Sequence, residues 1–329
     1  MLGSEINGRT PWREPTGCGY VTSQRRTPLH LKMLLSMIAT ATFAASPTLA
    51  QNLTGTLQKI KDTGTITLGH RESSLPFSYY DDKQQVVGYA MDLCARIVEG
   101  VKKDLKLANL ETKLNPVTSA TRIPLMANGT IDLECGSTTN NLERQKQVSF
   151  TITHFVTANR FVSKKSANLK TVDDLKGKTV ASTSGTTNIK QITEIGAQKG
   201  LNLNILAAKD HAEAFLMVET GRAAAFVMDD ILLYSLVAGS KSPNDYTISA
   251  DALSVEPYGI MLRRDDAPFK KVVDEAMIAT YRSGAINPIY EKWFLKPIPP
   301  KGLNLNVPMS EAFKKVVASP TDSGDPAVY

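Results

Sequence analysis

The chain has 329 residues, 42% of them hydrophobic, a length that suits two lobes or domains better than one and supplies a substantial core. Its net charge of +6 falls to +3, from 33 basic and 30 acidic side chains, once residues 1–50 are set aside; so mild an excess makes no case for nucleic acid as a partner. Four His in the chain, and two Cys beyond residue 50, stand without close ligand spacing, so neither a metal site nor another cofactor is expected.

Residues 33–50, MLLSMIATATFAASPTLA, form an apolar run closed by small residues, the pattern of a signal peptide cut after Ala50. Its apolar core is too short for a comfortable span, and no later segment approaches about 18 uninterrupted apolar residues. An exported chain beginning at Gln51, with no stable membrane insertion, is therefore expected. The first 32 residues are an atypical extension, and a start at or just upstream of Met33 fits a brief signal better. Arg25 and Arg26 precede the apolar run in a poor match to a twin-arginine signal. Cys18 is badly placed for a lipid anchor. Cys94 and Cys135 permit one disulfide in an oxidising compartment without showing one.

The α/β pattern starts with TITLGH (65–70) as a strand, followed by MDLCARIVEGVKKDL (91–105) at helical spacing. LETKLNPV (110–117) reads as a strand, SATRIPLMANG (119–129) as a short helix and IDLECGS (131–137) as a strand, the alternation of a parallel sheet. NNLERQK (140–146) reads as helical. The same grammar restarts with a strand in KTVASTSG (178–185), a helix in TTNIKQITEIGAQKG (186–200) and a strand in LNILAAKD (203–210). A helix in HAEAFLMVETGR (211–222) and a strand in AAAFVMDD (223–230) complete it. Between the halves, residues 149–165 read as one strand running from one lobe into the other, and 252–264 as a second crossing. The expected division is lobe 1 over 51–157 with a return segment 255–296, lobe 2 over 158–254, and a tail 297–329 ending in disorder.

In open parallel sheets, ligands sit beyond the carboxyl ends of strands, where loops become helix N-termini. Arg71 follows the first strand, and reads either as a solvated turn residue or as part of such a site. Ser119 is placed to cap the next helix, with Arg122 in its first turn. A cation there opposes the helix dipole, a conflict that an anion bound at the same end would relieve. Ser137, Thr138 and Thr139 offer hydroxyl and N–H groups for a carboxylate or an ammonium, or else a helix cap. Ser184, Thr186 and Thr187 form a Gly-containing turn that lacks the Lys of a phosphate loop. His211 has no partner visible in sequence, and Asp229 or Asp230 would also serve as a helix cap. Arg71, Arg122 and Asp229, with His211 neutral or cationic, sum to +1 or +2. That charge suits a small zwitterion with one extra carboxylate, as in an acidic amino acid.

The segments GHRESSLPFSYYDD, VVGYAMDL, TSATRIPLMANGTIDLECGSTTNNLERQ, TSGTTN, AKDH, GRAAAFVMDD, YGIMLRRDD and EKWFLKPIPPKGLN resemble those of the extracellular solute-binding proteins of polar amino acid ABC uptake systems, glutamate/aspartate binders above all. The resemblance runs from about residue 54 to about 315. It implies a type II periplasmic-binding-protein fold, two α/β lobes joined by two hinge strands that close on ligand. It further implies a monomeric periplasmic protein serving inner-membrane permease subunits. Arg122 would take the ligand's α-carboxylate, with donors from Thr139 and Thr187 and oxygens from Ser137. Asp229 would take the α-ammonium, and Arg71, Ser119 and His211 the side-chain carboxylate of L-glutamate or L-aspartate. Thr138, Asn140 and Asn141 are left to structural roles. The family's YGCML is YGIML here, so Ile260 removes a cysteine that could pair with Cys135, and Cys135 is expected to be a buried bystander unless Cys94 lies close.

Two other functions fit less well. A periplasmic dehydratase or lyase on this fold would use His211 as base and Ser137 or Ser184 as nucleophile or donor, yet the chain has no nucleophile elbow. A sensor role would have to act through a separate receptor, since no kinase or membrane segment is fused to the chain.

Overall fold

The structure is a computed structural model and describes residues 53–329. The signal peptide, the N-terminal extension and the cut after Ala50 lie outside the described residues. In chain order the first part holds α1 (Gly55–Thr63), β1 (Thr65–His70), β2 (Ser73–Ser74), β3 (Ser78–Tyr80), β4 (Val86–Val87), α2 (Tyr89–Asp104), β5 (Glu111–Pro116), α3 (Arg122–Ala127), β6 (Leu133–Cys135) and β7 (Val148–Phe150). The second part holds β8 (Phe155–Lys164), β9 (Thr179–Thr183), α4 (Thr187–Gln198), β10 (Asn204–Ala208), α5 (His211–Glu219), β11 (Ala225–Asp229), α6 (Asp230–Gly239), β12 (Tyr246–Ile248) and β13 (Ser254–Tyr258). β14 (Met261–Arg263), α7 (Ala267–Arg282), α8 (Ile286–Phe294) and α9 (Glu311–Ala318) follow.

Two main sheets result, ordered β5-β1-β6-β14-β7 and β10-β9-β11-β8-β12, with β13 also paired to β8. In each, the strands separated by helices are parallel: β5, β1 and β6 in the first, β10, β9 and β11 in the second. The strands delivered by the crossings are antiparallel, β14 on β6 and β7, and β8 on β11 and β13. A parallel return needs a crossover of a dozen or more residues, which a chain passing directly between sheets does not have. The sequence pattern had given an orientation for the parallel strands only, and had read the two crossings as strands without a direction.

β1 is buried along almost its whole length, as a central parallel strand covered on both faces must be. α2 turns Tyr89, Leu93, Cys94, Ile97 and Val101 inward at helical spacing. Where the sheets join, Phe77, Phe155, Tyr258 and Phe294 pack with ring centroids 5.0–5.8 Å apart for the pairs Phe77–Phe155, Phe77–Tyr258, Phe77–Phe294 and Phe155–Phe294.

Five sequence expectations change. The strand expected over 149–165 is broken at 151–154, where Thr151 N–H donates to Ile260 O and His154 N–H to Tyr258 O, so the two crossings bond to each other. The helix expected over 140–146 is only a short 3₁₀ turn, Arg144–Lys146, because Thr139 bridges to Tyr258 and Asn140 N–H donates to Pro257 O. Ser119 does not cap α3; residues 118–121 close on themselves through Thr118 and Thr121, and Ser119 accepts from Arg71 instead. The tail beyond α9 is packed: Thr153 N–H donates to Thr321 O, Asn140 Nδ2 to Asp322 O, and the Tyr329 hydroxyl pairs with Thr153 Oγ1. Finally, Cys135 is no bystander. It forms a disulfide with Cys94, because the buried stripe of α2 lies over β6 and brings the two Cα atoms to 6.2 Å.

Candidate functional site

The carboxyl ends of β1, β6, β9 and β11 and the first residues of α3, α4 and α5 meet in one place between the sheets. Ser119, Arg122, Ser137, Thr139, Thr187, His211 and Asp229 line a narrow pocket with a cavity volume of about 10 Å³, to which Thr186, Asn188, Met228 and Leu232 also contribute. Arg71 is not in that lining. It stands directly behind Ser119, with Nη2 donating to Ser119 Oγ at 2.7 Å, while Nη1 is buried without a partner among the described residues. The sequence analysis thus named eight positions, of which seven meet at the cavity wall and one supports it.

The first-sheet side is cationic. Arg122, the first residue of α3 and 2% exposed, donates from Nη1 to Thr138 Oγ1 at 2.6 Å, leaving Nε free of partners. Thr138 in turn donates to Glu134 Oε2 at 2.5 Å, so a fully buried carboxylate holds Arg122 through a hydroxyl relay. Burial pulls the Arg122 guanidinium below its ordinary pKa, and the neighbouring Glu134 counteracts this. Burial and the Arg122 charge bring Arg71 down to about 10. A third buried guanidinium, Arg144, donates to Thr139 O at 2.8 Å and to Gly185 O at 3.2 Å, tying the first-sheet side to the β9–α4 turn.

The second-sheet side is anionic. Asp229 ends β11 at the N-cap position of α6, yet its carboxylate does not cap that helix. Oδ1 accepts from Asn188 Nδ2 at 2.7 Å and Oδ2 from the Tyr258 hydroxyl. Burial and the nearby Glu256 push its pKa from 3.8 to about 7. Glu256 is itself buried, accepting from Thr187 Oγ1 at 2.9 Å and Gln191 Nε2 at 2.7 Å. The Thr187 hydroxyl is therefore committed to Glu256, and its N–H, at the start of the 12-residue α4, is the donor left for a ligand. At the next helix, the His211 ring meets Thr183 Oγ1 through Nδ1 at 2.9 Å, and its Nε2 is buried without a partner among the described residues. Burial, then Arg71 and Arg122, hold the imidazole neutral.

Glu134, Arg144, Asn188, Tyr258 and Glu256 were not singled out from sequence. An acid inside the apolar run IDLEC was a visible signal for Glu134, whereas Arg144 lay unremarked in the segment read as helical. With Glu134, Arg144 and Glu256 included, the formal charges sum to zero, three arginines against three acids, instead of +1 or +2. What distinguishes the site is the placement of its charges: Arg71 and Arg122 with Glu134 on the first-sheet side, Asp229 and Glu256 on the second-sheet side, and Arg144 between them. Among the described residues neither Ser137 nor Ser184 is hydrogen-bonded to His211; the hydroxyl that meets its ring is that of Thr183.

Two lobes with a polarised, buried site at their junction define a ligand-capturing protein, and the chain belongs to the bacterial extracellular solute-binding proteins, family 3, whose pattern matches residues 66–296. It is 55% identical to the L-glutamate/L-aspartate-binding protein of Pseudomonas aeruginosa over 88% of this chain and 96% of the relative. It is 45% identical to the glutamate/aspartate import solute-binding protein of Escherichia coli, again over 88% and 96%. A solved mutant of ArgBP from T. maritima matches with a TM-score of 0.64 and 29% identity, covering 72% of this chain and 98% of that one. An ABC uptake transporter substrate binding protein from Streptococcus pneumoniae, with bound histidine, matches in fold with a TM-score of 0.65 at 23% identity, over 74% and 98%. The architecture is the type II periplasmic-binding-protein fold, and the chain is a solute-binding protein, not an enzyme. No helix among the described residues is long and apolar enough to cross a membrane.

Proposed function

We propose that this protein captures L-glutamate and L-aspartate in the periplasm, closes its lobes over them, and delivers them to inner-membrane ABC permease subunits, acting as a monomer cut after Ala50. The observation that carries this reading is the polarity of the buried side chains at the site. Its guanidinium groups sit at the end lined by Ser119, Arg122 and Ser137, and its carboxylate at the end lined by Asn188 and Asp229. A ligand with two carboxylates and one ammonium matches both ends, and burying those charges is tolerable only where each meets a partner. The relatives' names point to the same two amino acids.

In this reading Arg122 holds the α-carboxylate, helped by Ser137, Thr139 and the Thr187 N–H, and Asp229 holds the ammonium. Arg71, Ser119 and His211 face the side-chain carboxylate. The moving bodies are 51–157 with 255–296, and 158–254. Calorimetry with purified protein tests the ligand: glutamate and aspartate should both bind, and glutamine much more weakly. Tighter binding of glutamine than glutamate would sink the reading.

A further inference from the structure

The Thr183 side chain is fully buried at the end of β9, and its hydroxyl has one hydrogen-bond partner among the described residues, His211 Nδ1 at 2.9 Å. A buried hydroxyl proton must find an acceptor, and a neutral imidazole has one donor nitrogen and one acceptor nitrogen. If Nδ1 carried the proton, the Thr183 proton would be left with nowhere to go. If Nδ1 accepts, Thr183 is satisfied and the ring proton sits on Nε2. That nitrogen is the one buried without a partner, on a ring that lines the cavity. Burial, with Arg71 and Arg122, favours the neutral ring that this bookkeeping requires.

We infer that Thr183 is a specificity-determining positioning residue: by accepting at Nδ1 only, His211 is held as an Nε2–H donor toward the ligand's side chain. The inference rests on the reading of the site as one for acidic amino acids. Arg71 Nη1, also without a partner among the described residues, is a donor by chemistry, so Arg71 and His211 meet the side chain as donors only, beside a Ser119 hydroxyl that already accepts from Arg71. A carboxylate offers only acceptors and satisfies them. An amide places its NH₂ against one of them and leaves a buried clash, the kind of mismatch that sites built for one hydrogen-bonding pattern reject strongly. Thr183 reaches no ligand itself and acts through His211 alone. Without its hydroxyl the ring is free to carry the proton on Nδ1, and Nε2 becomes an acceptor that repels a carboxylate and welcomes an amide.

Two measurements test this. Nitrogen-15 NMR of the ligand-free parent reads the tautomer directly and does not depend on which ligand the protein prefers; it should show His211 protonated on Nε2 and bare on Nδ1. A proton on Nδ1 overturns the inference. Calorimetry on Thr183→Val and Thr183→Ser, with glutamate and glutamine, reads the consequence. Thr183→Val should weaken glutamate about 10-fold while changing glutamine less than about 3-fold, and Thr183→Ser should keep the parent's preference. A folded Thr183→Val whose preference for glutamate stays within about twofold of the parent also overturns it. A parent that prefers glutamine refutes the proposed ligand instead, and leaves the tautomer to the spectrum.

Discussion

Arg122 and Asp229 mark the two ends of the site, and each is set up to fail in a different way. Removing Arg122 takes away the main countercharge proposed for the α-carboxylate and one of the cations near the buried Glu134. Arg122→Ala should therefore weaken glutamate binding by about 100-fold or more in calorimetry; a loss of only a few-fold would misplace the ligand. Arg71→Ala should narrow the preference for glutamate over glutamine with a smaller loss of affinity. Asp229 makes a pH-dependent prediction. Its folded pKa is raised, to about 7 against 3.8, so its contribution to stability is whole below 3.8 and is lost as pH rises through about 7. An ammonium beside it restores the ionised form, so binding near pH 6 should release a proton. Calorimetry in two buffers of different ionisation enthalpy should then give different heats, and Asp229→Asn should make them equal.

Elements decide whether those residues meet. Gly185, in the β9–α4 turn, has φ +75°, and a Cβ there would lie 2.6 Å from Ala120 Cα and 2.7 Å from Ser119 O. Both the backbone conformation and the approach of the two loops ask for glycine. Gly185→Ala should lower ligand affinity by about 10-fold or more, with far-UV circular dichroism unchanged; unaltered affinity would mean that the loops do not meet in the bound state. The Cys94–Cys135 bridge fastens α2 to β6 immediately before Gly136 and Ser137. Closing a loop with a sequence separation of 41 contributes about 4 kcal/mol in the chain-entropy model. Reduction, or Cys94→Ala with Cys135→Ala, should show as a lower denaturation midpoint. At this scale most of the parallel strands and long helices were legible, because hydrophobic period and turn residues are local. The 140–146 segment was misread for the opposite reason: its partner, Pro257, is more than a hundred residues away, and a pairing across that distance leaves no trace in local periodicity.

For the whole molecule, the hinge and the site are one network. Tyr258 lies on the second crossing, bridges to Thr139 through its backbone and donates its hydroxyl to Asp229, so the crossing strand is tied to the carboxylate proposed for the ligand's ammonium. Arg144 spans the lobes from Thr139 O to Gly185 O. Arg144→Met should shift the protein toward an open form, seen as a larger radius of gyration in small-angle scattering with glutamate present and as weaker binding; an unchanged radius would leave Arg144 a purely local brace. The sequence by itself determined the α/β class, the two-lobe order, the family and seven residues that do reach one cavity, since those follow from local patterning and from motifs at strand ends. Only the tertiary structure decided that Cys94 meets Cys135, that Glu134 and Glu256 counterbalance the arginines, and that Thr183 faces His211. Each of these is a juxtaposition of residues far apart in the chain, and burial, which sets their charges and proton positions, exists only once the chain has folded.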